Sequence, residues 1–362
     1  MNNFIRKTAF VFTALFALLS FLSCRNEKKG SENTVGVLLK SDQDTFWQTY
    51  KGYVLDAAKE TGLSVRCYAF DNDAPTQIDQ IKTMLMNGIK YFFIVPATTD
   101  LTDQISHIIA SKGGVAVFSN VVPTIDALKL SKNFYYTSSP ETEAGAYQAE
   151  LLDEYFKKNP GKLNGKTVNV LYFNGEFGHP AQIPRRQGFL DAMAGKGYNV
   201  NILSQIAANW HKKVAREAMN IWIQKNGISG VDAIITQNDD MALGAITAFL
   251  DNNVLDDPSD PTRDTDGDGL SVPVPVIGVD GTERGKKLLL ENQLYGSVFQ
   301  DMRSQVLTGF EIIKECSKNG SAIGFTTPSG IKAAAKTSTE APLTDSGVLG
   351  QCFIVPYVPL KK

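Results

Sequence analysis

The chain has 362 residues, 43% hydrophobic and 20% charged, so it is globular and large enough for two domains. Its formal charge of −2 includes +2 from Arg6 and Lys7, which leaves the chain from Cys24 onward near −4. That balance argues against a nucleic-acid-binding surface.

The N-terminus reads as an address. Arg6 and Lys7 precede an apolar run over 9–22, short for a membrane span and suited to a signal-peptide core. Ser23 and Cys24 close it as a bacterial lipobox does, with Phe21 where leucine is usual. Ordinary signal cleavage beside an incidental cysteine is the alternative. A diacylglycerol thioether and an amide-linked acyl chain on Cys24 would anchor stably. The expectation is a signal peptide over 1–23 and a polar, glycine-containing tether over 24–33. Cys67, Cys316 and Cys352 show no metal-binding spacing, and their odd number leaves at least one thiol unpaired.

Hydrophobic periodicity then repeats one order twice. Strands are expected over 35–40, 65–70, 91–96 and 115–119, with helices over 46–61, 77–87 and 101–111 between them. The second run has strands over 168–173, 200–206, 231–236 and 274–279, with helices over 185–196, 213–225 and 241–252. Glycines follow several of these helices, as C-terminal caps do. Strands alternating with amphipathic helices imply an α/β chain of two doubly wound parallel-sheet lobes. Short strands over 296–300 and 352–358 and a helix over 302–316 are too few for a third domain. They serve as return crossings, and lobes joined by several crossings form a hinged cleft.

Ligands in such sheets bind outside the carboxyl ends of strands. In the first lobe those ends carry Asp44, Phe46 and Asn120; in the second, His179, Arg185, Trp210, Asn238 and Asp280. Carboxylates and amides bond adjacent hydroxyls in pairs, and aromatic faces cover the C–H face of a pyranose, so the set fits a sugar. Structural alternatives stand beside each. Asp44 and Asn238 would serve as helix caps, Asp280 as a turn residue, Trp210 as core and His179 as a loop residue. Glu176 reads as structural.

The segments VGVLLKSDQDTFW, VFSNVVP, GEFGHPAQIPRR, ANWHKKVAREAM, TQNDDMALGAI, PVIGVDG, GSVFQD and IVPYVP together resemble the periplasmic galactose/glucose-binding proteins of sugar ABC importers. The resemblance covers nearly all of the chain after residue 33. It implies a type I periplasmic binding protein fold with a three-crossing hinge. Lobe one would comprise 34–138 and 300–353, and lobe two 139–299 and 354–362. It also implies that Asp44, Asn120, His179, Arg185, Asn238 and Asp280 bond sugar oxygens while Phe46 and Trp210 cover opposite ring faces. Gln300 stands where the family has asparagine. Ala181 replaces a sugar-contacting aspartate, removing a charge-assisted hydrogen bond worth about 1.5–3 kcal/mol. Pro184 favours the first helical turn, so the following helix is expected to begin near Ile183 and to re-aim Arg185.

The family's calcium loop is absent from 159–166. Asp264, Asp266 and Asp268, with glycine at the sixth position, instead match the start of such a loop in an insertion, with Leu270 offering its carbonyl. The expected role of Ca2+ is structural; a solvated acidic turn is the alternative. The resemblance implies a monomeric, lipid-anchored receptor that passes glucose or galactose to a membrane permease, with a chemoreceptor as a further partner. No nucleotide-binding loop is present, so the ATPase would be a separate subunit. The rivals are a binder of ribose, xylose or another small ligand, a surface or chemotactic lipoprotein, and a glycan-processing enzyme using Asp44 and Asp280.

Overall fold

Strand β1 (Thr34–Leu39) is buried at every position, as a parallel strand covered by helices on both faces must be. In this computed structural model, which describes residues 33–42, 45–257 and 259–362, five strands begin the chain with helices between them. They are β1, then α1 (Thr45–Thr61), β2 (Ser64–Ala69), α2 (Ala74–Met86), β3 (Tyr91–Ile94), α3 (Leu101–Ala110), β4 (Val115–Ser119), a short α4 (Ile125–Lys129) and β5 (Phe134–Ser138). A second run follows: α5 (Glu141–Lys158), β6 (Thr167–Asn174), α6 (Gln182–Gly195), β7 (Asn199–Ala207), α7 (Lys212–Asn226), β8 (Ala233–Thr236), α8 (Asp239–Asp251), β9 (Val276–Asp280), α9 (Glu283–Leu290) and β10 (Gly296–Phe299). The chain ends with α10 (Met302–Asn319), a stretch over 321–348 of turns and isolated bridges, β11 (Cys352–Ile354) and β12 (Val358–Lys361).

The strands form two six-stranded sheets, ordered β11–β5–β4–β3–β1–β2 and β12–β10–β9–β8–β6–β7. All neighbours are parallel except β12, which runs antiparallel to β10. Alternate residues of β1 feed opposite layers: Val35, Val37 and Leu39 pack with α1 and α10, while Leu38 packs with α2 and α3. The chain passes between the sheets at 139–140, 300–301 and 355–357, which makes the expected two-lobed α/β fold with three crossings.

Local chemistry explains where elements depart from the periodic reading. Helix α2 begins at Ala74 because Asp73 caps it, its carboxylate accepting from Thr76 N at 2.9 Å, with Pro75 in the first turn. The strand expected over 352–358 divides between the two sheets. Pro356 has no N–H for a ladder, and residues 355–357 make the last crossing. Helix α5 lies outside the periodic reading and carries Gly145 near its start. That glycine is needed for close approach: a Cβ there would lie 1.9 Å from the carbonyl oxygen of Arg185 in α6.

Cys67, Cys316 and Cys352 are free thiols. No helix among the described residues is long and apolar enough to cross a membrane. The expected signal peptide, the expected lipidation at Cys24, and Asp44 lie outside the described residues.

Candidate ligand-binding cleft

Parallel strands point their carboxyl ends one way, so the loops leaving them gather along one edge of each sheet. Here the two edges share a cavity of about 330 Å³. Phe46 in α1 and Asn120 after β4 come from the first lobe. His179 and Arg185 after β6, Trp210 after β7, Asn238 after β8 and Asp280 ending β9 come from the second. Gln300 enters from the crossing after β10. Eight sequence-predicted residues therefore line one cavity.

The aromatic walls are held from behind. The Phe46 ring meets Trp47 edge-on at 4.9 Å and stacks on Tyr50 at 6.1 Å. Buried Tyr50 is fixed by a 2.8 Å hydrogen bond between its hydroxyl and that of Ser119. Across the cleft, Trp210 takes the left-handed backbone, φ 68°, and its neighbour Asn209 has φ 51°. Asn120 and Asp280 share this feature at φ 64° and 110°, so backbone strain collects at the cavity. The Trp210 indole lies over Gly175, where a Cβ would come within 2.0 Å of the ring. The His179 ring meets the indole edge-on at 5.1 Å.

Asn238 has the capping role considered from sequence. Its Oδ1 accepts from Met241 N at 2.9 Å, capping α8, and its Nδ2 donates to the Trp210 carbonyl at 3.2 Å. One lone pair and one N–H of the amide are left for a ligand.

Arg185 is buried, and its guanidinium is largely engaged. Nε donates to Glu141 at 2.6 Å, Nη1 to the Gln237 carbonyl at 2.5 Å and Nη2 to the Tyr357 hydroxyl at 3.0 Å. Two of its five N–H groups remain. Helix α6 starts at Gln182, one residue before the expected Ile183. The Ala181 methyl is buried and adds no polar atom to the cavity.

His179 is held neutral. Burial pushes its pKa well below the usual value, and the positive charges of Lys40 and Arg185 push the same way. Its Nδ1 accepts from Ala181 N at 3.2 Å, which leaves the proton on Nε2 as a donor. Asp280 behaves oppositely. Burial raises its carboxyl pKa well above the ordinary range, against the pull of Arg185, and Asp239, Asp240 and Glu141 add repulsion. Its carboxylate accepts no hydrogen bond among the described residues. The Gln300 side chain is 1% exposed, and its Nε2 has no hydrogen-bond partner. A buried acceptor and a buried donor without partners are groups that a polar ligand would satisfy.

Sequence reasoning missed the residues that hold the loops. Gln237 accepts from Gly175 N at 2.8 Å and donates to the Gln182 carbonyl at 2.6 Å, pinning both ends of the loop that carries His179. Asp239 accepts from Thr282 N at 2.7 Å and Ser297 Oγ at 2.6 Å, fixing the loop after Asp280. Its position beside Asn238 in the NDD run was the available signal.

In the acidic insertion, two of the three expected carboxylates come together with a third from outside the expected set. Asp264, Asp266 and Asp256 bring carboxylate oxygens within 4.8 Å of one another. Asp268 does not join them, because its Oδ2 is held by Tyr155 at 2.8 Å and by Lys162 at 2.7 Å. Lys162 also pairs with Asp266 at 2.6 Å, so an ammonium neutralises part of the loop. Leu270 is buried in the lobe-two core.

The sequence profile of the periplasmic binding protein domain matches residues 35–320. The D-galactose/methyl-galactoside binding periplasmic protein of Haemophilus influenzae is 25% identical over 305 residues, covering 83% of this chain and 86% of that protein. A putative rhizopine-binding protein of Rhizobium meliloti is 28% identical over 276 residues, covering 75% and 80%. Among solved structures, an ABC transporter solute binding protein from Clostridium phytofermentans with bound beta-D-glucose aligns with a TM-score of 0.67 at 20% identity, covering 91% and 94%. At that identity the likeness is one of fold.

Proposed function

Because this chain belongs to the periplasmic binding protein domain family, we propose that it is a periplasmic sugar receptor of an ABC importer, taking a glucose- or galactose-type monosaccharide between its lobes. Its relatives are binding proteins of transport systems, and it acts as one of them rather than as an enzyme. The observation that carries the sugar reading is that the buried Asp280 carboxylate, the partnerless Nε2 of Gln300 and the indole of Trp210 line one cavity. Asp280 accepts from neighbouring hydroxyls, while Gln300, His179 Nε2 and the free N–H groups of Arg185 donate to sugar oxygens. Asn120 and Asn238 add amide contacts. Phe46 and Trp210, from opposite lobes, cover the apolar ring faces. Asp44 is proposed as a further lobe-one acceptor.

Both lobes contribute, so only a closed cleft makes every contact, and ligand shifts the population toward closure. The closed form then docks on a permease. Lipidation at Cys24 holds the receptor on a membrane within diffusion of that partner. A chemoreceptor that reads the same closed form is a further proposed partner. Ca2+ at Asp256, Asp264 and Asp266 is proposed as a structural ion of the insertion, with no part in ligand binding.

Calorimetric titration of the sugar-stripped protein with glucose, galactose, ribose and myo-inositol tests the reading. A hexose binding tighter than the others supports it, and no heat from either hexose overturns it. The second reading, a different small sugar or polyol, is favoured by buried Ala181, and preferential heat from ribose or myo-inositol would select it.

A further inference from the structure

Residues 321–348 follow the last helix of lobe one and lie beyond the matched stretch 35–320. They are pinned to lobe one. Leu343 and Val348 are buried with Leu128 and Phe134, Asp345 pairs with Lys129 at 2.5 Å, and Ala334 N donates to the Cys352 carbonyl at 2.7 Å. From this strap Glu340 reaches the first turn of α5, which belongs to lobe two. Its Oε1 accepts from Glu141 N at 2.7 Å, and its Oε2 accepts from Thr142 N at 3.0 Å and Thr142 Oγ1 at 2.8 Å.

That contact supplies something α5 lacks. The residue before the helix is Pro140, which makes no side-chain cap bond. The first N–H groups of an α-helix have no partner within it, and its positive end favours a carboxylate. Glu340 meets both needs from a different lobe. The first residue of α5 is Glu141, whose own Oε2 accepts from Arg185 Nε at 2.6 Å and from the Tyr357 hydroxyl at 2.9 Å. Arg185 Nη2 donates back to Tyr357 at 3.0 Å and closes the triangle. Glu141 follows the first crossing and Tyr357 lies in the third. The cleft arginine is thus tied to two of the three hinge segments, and through Glu340 to the strap on the opposite lobe.

We infer that Glu340 and Glu141 are positioning residues for ligand binding: Glu340 fixes the first turn of α5, Glu141 is aimed by that turn, and Glu141 orients the Arg185 guanidinium at the cleft. The inference rests on the proposed role of Arg185 as a ligand contact. A structural cap alone would stabilise the helix without acting through Arg185.

Two measurements on the full chain separate these possibilities. In the sugar-free protein labelled with 15N-arginine, the Arg185 Nε–H resonance, assigned by its loss in Arg185→Lys, should move in Glu340→Ala. It should move less in Glu340→Gln, which keeps the side-chain shape and one acceptor. By calorimetry with the sugar that binds best, Glu340→Ala should weaken affinity by roughly five- to tenfold, yet by less than about twofold in the Arg185→Lys background, since groups acting through one partner are not additive. An unmoved resonance in both Glu340 variants overturns the coupling, as does an equal affinity loss in both backgrounds. Should Glu340→Ala fail to fold, Glu340→Gln carries both readouts. Unchanged affinity in Arg185→Lys would overturn the proposed ligand contact instead, and the resonance then decides the coupling alone.

Discussion

Replacing Asp280 by asparagine should weaken sugar binding and stabilise the empty protein. The carboxylate is 5% exposed, faces the cavity, and has no hydrogen-bond partner among the described residues. A hydrogen bond to a charged group contributes about 1.5–3 kcal/mol. A carboxylate accepting two hydroxyls therefore supplies roughly 3–6 kcal/mol, and asparagine, with one neutral acceptor, keeps less than half. At 1.4 kcal/mol per tenfold, affinity should fall by at least about 10- to 150-fold. The pH dependence follows from the raised pKa, whose largest cause is burial. Protonation removes the better acceptor, so wild-type affinity should fall as pH drops through the raised value, beginning above the ordinary carboxylate range. The variant should stay flat through that interval. Stability has the opposite sign. A carboxyl whose folded pKa exceeds its unfolded one stabilises the fold below the unfolded value, and that contribution is lost as pH rises through the folded pKa. Once it ionises, wild type therefore holds a buried charge without a hydrogen-bond partner that Asp280→Asn lacks. A gain of about 1 kcal/mol would raise Tm by roughly 2 °C in a chain of this size. Titration calorimetry and thermal melts of the sugar-free protein between pH 5 and 8 read both effects. An affinity loss below threefold, or a Tm that falls at pH 7, would refute the assignment of Asp280 as an unpaired acceptor.

Gly175→Ala should push the Trp210 indole off its seat, since the new methyl would overlap the ring, and should weaken sugar binding at least about tenfold with quenching or shift of indole fluorescence as the check. Asp239 has a carboxyl pKa raised to about 6, chiefly by burial, against its bonds to Ser297 and Thr282. Its stabilising contribution is present below the unfolded value near 3.8 and is lost as pH rises through about 6, so wild-type Tm should drop across that window more steeply than that of Asp239→Asn. If calcium occupies the insertion, a free concentration a hundredfold above Kd adds about 2.7 kcal/mol to stability. Tm should then fall on chelation and the response should vanish in Asp264→Asn; a wild-type melt indifferent to calcium removes the proposal.

The cleft was legible because topology dictates it. Once strands alternate with helices, the residues just after each strand must gather at one edge, and Asn120, His179, Trp210, Asn238 and Asp280 are found there on that ground alone. Chemistry at those positions was less legible. Asn238 carries a cap and a proposed ligand contact on one amide, and only the distances to Met241 and Trp210 reveal the division. Partners drawn from distant sequence were invisible: Arg185 is met by Glu141, by the Gln237 carbonyl and by Tyr357. None has a periodic relation to Arg185, because tertiary packing alone selects them. Gly145 illustrates the cost of reading one level only. As local propensity it breaks a helix, whereas in the fold it lets α5 approach α6 closely enough for Glu141 to reach Arg185. The same geometry ties two of the three crossing segments to the proposed ligand site. A receptor that must report occupancy by changing its lobe angle needs such a connection, and a buried ion pair supplies it because it cannot be broken without stranding a charge.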